Sequence, residues 1–228
     1  AVSRLGIVVA DWAHVIAQQA RAVLDRTPPD TYASGHLTPI VLVPGIWEPW
    51  RYLHPLARRL HALGHPVHPL PGLGWNGRPI EDSVDRARAG LDALGVDRPV
   101  LVAHSKGGLI GKALLLDAFG RDPDRAPRGL VAVCTPFGGS KLSWRVFTRT
   151  PLGLFAPQGA TVLALAAERA ADAHIVSIGS AWDEMIPNGS FLPGAHNITL
   201  RRPGHFRPVA AEGTARLVHE QVEALASR

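Results

Sequence analysis

A serine at position 105 lies in a setting that could turn its hydroxyl into a nucleophile. Residues 103–107 read Ala-His-Ser-Lys-Gly, a variant of the nucleophile elbow G-x-S-x-G with alanine in place of the first glycine. A strand that turns sharply into a helix needs small neighbours, because the tight turn leaves no room for Cβ atoms. The alternative is that Ser105 only caps the helix that follows it. A catalytic serine needs a base and a carboxylate elsewhere in the chain, whereas a structural serine does not.

A serine hydroxyl needs a general base, and the chain has 11 histidines that could supply one. In a doubly wound sheet the reacting groups meet at the carboxyl ends of the strands, so the base should follow a strand closely. His205 meets this condition, since it lies between the strand-like run 198–200 and the last helix. A loop histidine without a catalytic role is the alternative. We expect His104 to point away from Ser105 because side chains alternate along a strand.

The base in turn needs a carboxylate that fixes its tautomer and stabilises its cation. The strand-like run 175–178 is followed by a loop that contains Asp183 and Glu184. This loop also lies at the carboxyl end of a strand, one strand before that of His205. We favour Asp183 as the acid, with Glu184 as its competitor and a solvated loop carboxylate as the remaining alternative.

Two backbone N–H groups should hold the oxyanion that forms when the serine attacks a carbonyl group. One is expected from Lys106, the residue after the nucleophile. The other is expected from the loop after the first strand, where Gly45 lets the backbone turn inward, with Ile46 preferred and Trp47 as the alternative. The Lys106 side chain is not needed for this role, although its charge would favour anionic intermediates or substrates.

Short apolar runs without helical period alternate with amphipathic segments along most of the chain. This alternation predicts an α/β fold, with a doubly wound, mostly parallel sheet and helices on both faces. We expect residues 1–36 to form a helix and linker packed on a single domain that spans 37–228. Within this domain, residues 137–173 are expected to form a short lid or pocket wall.

The first predicted helix has an apolar side and a polar side. Leu5, Trp12 and Ile16 belong to the first, and Asp11 and Gln18 to the second. The simplest interpretation is that the apolar side packs on the flank of the domain. Binding to a membrane surface or to a partner protein is the alternative, although the polar side mixes both charges instead of being basic.

Composition excludes several classes of protein. The net charge is +5, but the arginines are scattered and no basic stripe alternates with aromatics, so no nucleic-acid partner is expected. No apolar run is long enough for an integral membrane segment. The one cysteine, Cys134, has apolar neighbours and is expected to be a buried thiol. No metal or other cofactor is predicted. A cytoplasmic location is favoured, and the oligomeric state is left open.

Four segments resemble motifs of the α/β-hydrolase superfamily. Residues 43–46 resemble its oxyanion loop, with proline in place of histidine, and residues 103–108 resemble the Ala-His-Ser-x-Gly-Gly elbow of small bacterial esterases and lipases. Residues 133–136 resemble its Gly-Thr-Pro segment, and 183–187 its Asp-x-x-Val-Pro acid loop. The order serine, aspartate, histidine also matches the superfamily. The resemblance implies cleavage of carboxylic esters by Ser105, His205 and Asp183 through an acyl-enzyme.

The substrate is expected to be a small-molecule ester with an apolar acyl or aromatic group. This expectation rests on large apolar residues predicted at the reacting edge of the sheet, namely Trp47, Trp50, Leu152, Phe155 and Trp182. Two other functions stay open. An acyltransferase would use the same three residues with an alcohol or amine in place of water, and a ligand-binding sensor could keep the fold without turnover.

Overall fold

Six parallel strands form one sheet in the computed structural model, which describes residues 3–139 and 160–228. The strands, in chain order, are β1 Ile40–Val43, β2 Val67–Pro69, β3 Val100–His104, β4 Gly129–Val133, β5 Ile175–Ser180 and β6 His196–Leu200. Their order in the sheet is β2-β1-β3-β4-β5-β6. The strand order therefore reverses between β1 and β3, where Val43 pairs with Ala103. Such a reversal leaves a crevice at the carboxyl ends of the strands.

Helices cover both faces of the sheet. They are α1 Arg4–Leu24, α2 His54–Ala62, α3 Ile80–Leu94, α4 Lys106–Arg121, α5 Ala160–Ala167 and α6 Glu212–Ala226, with 3-10 turns at Trp50–Leu53 and Asp172–His174. Buried side chains of α1, α2 and α6 form one core with the sheet. Those of α3, α4 and α5 form a second core on the opposite face. The predicted doubly wound α/β architecture is thus confirmed.

The central strands are apolar along their whole length because both faces are covered. Every residue of β1, β3 and β4 is buried, as expected for strands enclosed between two layers of helices. The edge strand β6 is only partly buried and mixes His196, Asn197 and Thr199 with apolar residues. Burial therefore explains why continuous apolar runs, and not alternating ones, mark the central strands of this sequence.

The orientation predicted for α1 was wrong. Its buried residues are Ile7, Asp11, Gln18 and Ala22, whereas the apolar side with Leu5, Trp12 and Ile16 is exposed. Hydrogen bonds of Gln18 and Asp11 determine which face of α1 packs on the domain. Gln18 Nε2 donates to the Tyr52 carbonyl oxygen at 3.0 Å, and the Asp11 carboxylate accepts from three backbone amides at 2.8–2.9 Å.

The described residues contain only part of the predicted lid at 137–173, namely its ends at 137–139 and 160–173. Within the described residues, no helix combines the length and the hydropathy needed to cross a bilayer.

Candidate active site

Ser105 lies in the turn between β3 and α4 with a backbone that few residues adopt. Its φ and ψ are 52° and −124°, and its N–H donates to the Val133 carbonyl oxygen at 2.9 Å, which continues the sheet by one residue. Close packing behind the turn explains its two glycines. A Cβ on Gly107 would lie 2.2 Å from the Val43 carbonyl oxygen, and one on Gly108 would lie 2.0 Å from Thr135 Oγ1. The turn therefore holds the hydroxyl at a fixed point above the sheet edge.

Ser105, His205 and Asp183 form a continuous chain of hydrogen bonds. His205 Nε2 lies 3.0 Å from Ser105 Oγ, and His205 Nδ1 lies 2.8 Å from Asp183 Oδ2. Because the Asp183 carboxylate can only accept, Nδ1 carries the proton and Nε2 is free to accept from the serine hydroxyl. The backbone N–H groups of Met185 and Ile186 donate to Asp183 Oδ1, each at 2.8 Å, and so fix the carboxylate.

The competing carboxylate, Glu184, faces Asp11 of α1 and not His205. Its two carboxyl oxygens find no N–H or O–H donor among the described residues. Burial and the neighbouring carboxylates of Asp11 and Asp183 favour the protonated form of Glu184, which can donate a hydrogen bond to Asp11. Burial and the hydrogen bond to Asp11 raise the pKa of Glu184 to about 8. The two adjacent acids therefore have different partners. Asp183 contacts His205, and Glu184 lies next to Asp11 of α1.

The shared proton predicts an unusual dependence of stability on pH. Since the pKa of Glu184 rises from 4.5 to about 8 on folding, its contribution to stability is complete below pH 4.5 and is lost as the pH rises through 8. The variant Glu184→Gln carries a permanent donor and keeps the hydrogen bond. We expect it to be more stable than the wild type at pH 8.5 by about 1–2 kcal/mol, a value reduced for partial exposure of the side chain.

Urea unfolding at pH 5 and pH 8.5 measures this difference. The advantage of Glu184→Gln should grow between the two pH values. Glu220→Gln, a change at an exposed position of α6, serves as the control and should show no such growth. An advantage that is equal at both pH values would show that Glu184 carries no shared proton.

Asp11 is a site residue that sequence analysis missed. Asp11 Oδ2 accepts from the N–H groups of His205 and Phe206, each at 2.8 Å, and Oδ1 accepts from the Arg207 N–H at 2.9 Å. Burial alone would raise the pKa of Asp11, but the hydrogen bonds from Glu184 and these amides outweigh it and the pKa is lowered. An ionised carboxylate of α1 therefore holds the backbone of the loop at 201–207, which follows β6 and carries His205. This segment is here called the histidine loop. The only signal in the sequence is that Asp11 and Gln18, seven residues apart, share a helix face.

A second buried pair, Glu48 and His104, joins the loop after β1 to the loop that carries His205. His104 Nδ1 lies 2.8 Å from Glu48 Oε1, and its Nε2 lies 3.1 Å from the carbonyl oxygen of His205. Both ring nitrogens thus face acceptors, which favours the doubly protonated ring. Burial would lower the pKa of His104, but the charge and hydrogen bond of Glu48 outweigh it and the pKa is raised. Glu48 Oε2 also accepts from the Gly45 N–H at 2.7 Å.

The two proposed oxyanion donors lie on neighbouring loops at the strand reversal. Lys106 is the first residue of α4, so its N–H has no acceptor within the helix. In the turn after β1 the N–H groups of Gly45 and Glu48 have acceptors, whereas among the described residues neither Ile46 N–H nor Trp47 N–H has one. Trp47, the alternative donor, has a φ of 55° in the same turn, and its carbonyl oxygen accepts from Gln19 of α1 at 2.7 Å.

The Lys106 side chain does not serve the role suggested by its charge. Its buried ammonium donates to the carbonyl oxygens of Asn76 and Arg78 and to Ser83 Oγ, at 2.5–3.0 Å. Burial lowers the pKa of this amine to about 8. Its three donors are therefore used to fix the loop before α3, and the expected preference for anionic substrates loses its basis.

The predicted pocket residues have different surroundings. Trp47 is exposed and its indole lies against Gly77. The ring of Trp182 lies under the guanidinium of Arg4, 5.8 Å from its centroid. The ring of Trp50 packs against His54, with centroids 6.2 Å apart. Leu152 and Phe155 lie outside the described residues.

Cys134 is fully buried beneath the site, as expected. Its Sγ lies with ligand atoms of Asp183 and His205 within a space of 4.8 Å, a grouping that could hold a metal ion. The donors are poorly suited to that role. Burial and the nearby carboxylates raise the pKa of the thiol, and His205 Nδ1 and Asp183 Oδ2 are already joined by a hydrogen bond. This chemistry favours a proton network over a metal site.

Comparison with solved structures identifies the architecture. A monoacylglycerol lipase from Paleococcus ferrophilus is 18% identical, with 85% of this chain and 97% of that chain covered and a TM-score of 0.60. A carboxylesterase structure from Nitrososphaera gargenis is 16% identical, with 83% and 91% covered and a TM-score of 0.57. An extracellular α/β-hydrolase from a Paenibacillus species is 15% identical, with 81% and 98% covered and a TM-score of 0.55. The chain has the α/β-hydrolase fold.

The comparisons with sequences add nothing to this fold assignment, because no family model and no curated protein matches the chain. Within the α/β-hydrolase fold of this protein, Ser105 follows β3, Asp183 follows β5 and His205 follows β6. All three loops leave the same edge of the sheet because the strands are parallel. The α/β-hydrolase fold thus explains how residues far apart in sequence meet.

Proposed function

We propose that this protein is a serine hydrolase that cleaves carboxylic esters through an acyl-enzyme. The observation that carries the proposal is the hydrogen-bonded chain from Ser105 Oγ through His205 to Asp183. The strained turn at Ser105 supports it, since a helix cap needs no such backbone. The α/β-hydrolase fold is compatible with this chemistry but does not by itself establish it.

In the first step Ser105 Oγ attacks the ester carbonyl carbon while His205 Nε2 takes the hydroxyl proton. The imidazolium that forms is stabilised by Asp183, whose position is held by two backbone amides. The carbonyl oxygen becomes an oxyanion and accepts from the N–H groups of Ile46 and Lys106. His205 then gives its proton to the leaving alkoxide, and the acyl group stays on Ser105.

In the second step water attacks the acyl-enzyme. His205 Nε2 removes a proton from the water, and the same two N–H groups hold the second oxyanion. Collapse of this intermediate returns the proton to Ser105 and releases the carboxylic acid. His205 must therefore move a proton in both directions without leaving its place. The contacts of its loop with Asp11 and His104 supply that constraint.

The proposed substrate class is an ester with an apolar acyl or aromatic group. Trp47 supports it, because it combines an exposed indole with a backbone next to the proposed oxyanion donor Ile46. The names of two structural neighbours, a monoacylglycerol lipase and a carboxylesterase, are consistent with this class. We therefore expect aliphatic and aromatic esters to be cleaved faster than esters of charged or sugar-like acids.

Fluorophosphonate labelling and burst kinetics test the proposal together. We expect a stoichiometric adduct that peptide mass spectrometry assigns to Ser105. With p-nitrophenyl esters of graded acyl length we expect a burst followed by steady turnover. A burst without turnover would contradict the hydrolase and favour an acyltransferase that lacks its acceptor, or a sensor. Absence of any adduct on the folded protein would contradict a nucleophilic Ser105.

A further inference from the structure

The exposed side of α1 is a continuous apolar surface, here called the α1 face. Its large members are separated by four, three, four and seven residues and so form one stripe along the helix. They are exposed by 73% at Leu5, 60% at Val9, 45% at Trp12, 68% at Ile16 and 52% at Val23. The exposed alanines Ala13, Ala17 and Ala20 flank this stripe on one side. An apolar surface of this kind on a folded protein indicates a binding site.

The charged groups of α1 are divided by sign. Its acids face the domain, where Asp11 binds the histidine loop and Asp25, just past the helix, binds His54. Its basic residues, Arg4 and Arg21, are exposed, as is Arg26 just after the helix. The α1 face therefore has no charge of its own and a basic border at both ends.

Arginines of the histidine loop extend this basic border. Arg201 and Arg202 are exposed in the loop after β6. Arg202 lies three residues before His205, whose N–H donates to Asp11 of α1 at 2.8 Å, so this part of the loop lies next to the helix. An anionic surface in contact with the α1 face would thus meet positive charge from two segments of the chain.

Charge argues against a second copy of this chain as the occupant of the α1 face. Two-fold pairing of two α1 faces would bring the exposed arginines of both copies, Arg4, Arg21 and Arg26, together without an acidic partner on that face.

An amphipathic helix with arginines at its border and an apolar side that includes tryptophan and leucine has the features of helices that lie in a membrane interface. We propose that the α1 face docks this protein on an anionic lipid bilayer, with the helix in the plane of the interface. The apolar stripe enters the boundary between headgroups and acyl chains, and the arginines contact the lipid phosphates. This docking is independent of the reaction at Ser105.

The docked helix lies next to the candidate active site. Trp12 of the α1 face contacts Phe206, with ring centroids 5.9 Å apart, and Phe206 follows His205 in the chain. Gln19 Nε2 donates to the Trp47 carbonyl oxygen in the loop after β1, and the Arg4 guanidinium lies over the ring of Trp182 in the loop after β5. Docking through the α1 face therefore brings the three loops of the candidate site close to the bilayer.

Sedimentation with vesicles tests the proposal. The wild type should bind mixed phosphatidylcholine–phosphatidylglycerol vesicles more strongly than pure phosphatidylcholine, and salt should weaken this binding. The double variant Val9→Ser/Ile16→Ser should lose about tenfold or more in vesicle partitioning. The matched control Leu163→Ser/Phe191→Ser, which changes two apolar residues exposed outside α1, should bind like the wild type.

A site-specific probe separates docking from general adhesion. The variant Ile16→Cys can be labelled selectively with an environment-sensitive dye, because the native Cys134 is fully buried. Its emission should shift to the blue on anionic vesicles, whereas a dye at Leu163→Cys should not shift. Failure of the wild type to bind anionic vesicles, or equal loss of binding in the Leu163→Ser/Phe191→Ser control, would overturn the proposal. So would a dimer in sedimentation velocity that Val9→Ser/Ile16→Ser abolishes.

Discussion

Replacing Ser105 by alanine is expected to lower kcat for p-nitrophenyl esters by a factor on the order of 10⁵ or more. The reason is that the proposed covalent step is lost, while the N–H groups of Ile46 and Lys106 can still polarise a bound ester. A residual rate above that of the buffer should therefore persist. Steady-state hydrolysis with protein freed of contaminating esterases provides the measurement.

A matched control for this variant is Ser190→Ala, because Ser190 is also buried but lies outside the hydrogen-bonded chain. It should keep kcat within a few-fold of the wild type. Both variants should unfold near the temperature of the wild type. A Ser105→Ala protein that still turns over at the wild-type rate would show that another group is the nucleophile.

Replacing Asp11 by alanine is expected to lower both stability and activity, although Asp11 lies on a helix far from the elbow in sequence. The change leaves three backbone N–H groups of the histidine loop without their acceptor and the Arg207 guanidinium without its partner. We expect a loss of about 3 kcal/mol in the free energy of unfolding. Displacement of His205 by about 1 Å should lower kcat by about 10²-fold.

Urea unfolding and steady-state kinetics below the unfolding transition separate the two effects of Asp11→Ala. Gln18→Ala is the matched control, because Gln18 is also buried on α1 but contacts Tyr52 and not the histidine loop. It should lose stability without a comparable loss of kcat. The milder change Asp11→Asn keeps one accepting oxygen and should fall between Asp11→Ala and the wild type. Equal effects of Asp11→Ala and Gln18→Ala on kcat would argue against a role of Asp11 in positioning His205.

The sequence was sufficient to predict the fold because a strand that is buried on both faces is a continuous apolar run, which can be recognised from local sequence. The strand β1, Ile40–Val43, consists of four consecutive apolar residues because it lies buried between two layers of helices. Ser105, Asp183 and His205 could be proposed together because each follows the carboxyl end of a strand-like run. Chain order and strand ends thus carry information about the candidate site without any knowledge of side-chain contacts.

The contacts that support the candidate site could not be predicted, because no local pattern links Asp11 or Glu48 to its partner. Asp11 binds a loop 194 residues away, and Glu48 binds a histidine 56 residues away. The apolar pattern of α1 was misleading because the groups that orient this helix lie elsewhere in the chain: Gln18 binds Tyr52, and Asp11 binds the loop of His205. The rule that the apolar side of a helix faces inward assumes that burial of apolar surface determines how the helix packs. In α1 the hydrogen bonds of Asp11 and Gln18 determine which side packs on the domain. The charge of Lys106 gave no indication that its acceptors are the carbonyl oxygens of a neighbouring loop.

The contact between Asp11 and the loop at 205–207 has a consequence for the order of folding. It closes a chain segment of nearly the whole described length, and such contacts form late because the entropy of loop closure opposes them. The sheet and its covering helices can assemble before α1 docks, but the loop that carries His205 then still lacks its carboxylate. Recovery of activity on refolding is therefore tied to the docking of the first helix, and it should lag behind the recovery of secondary structure.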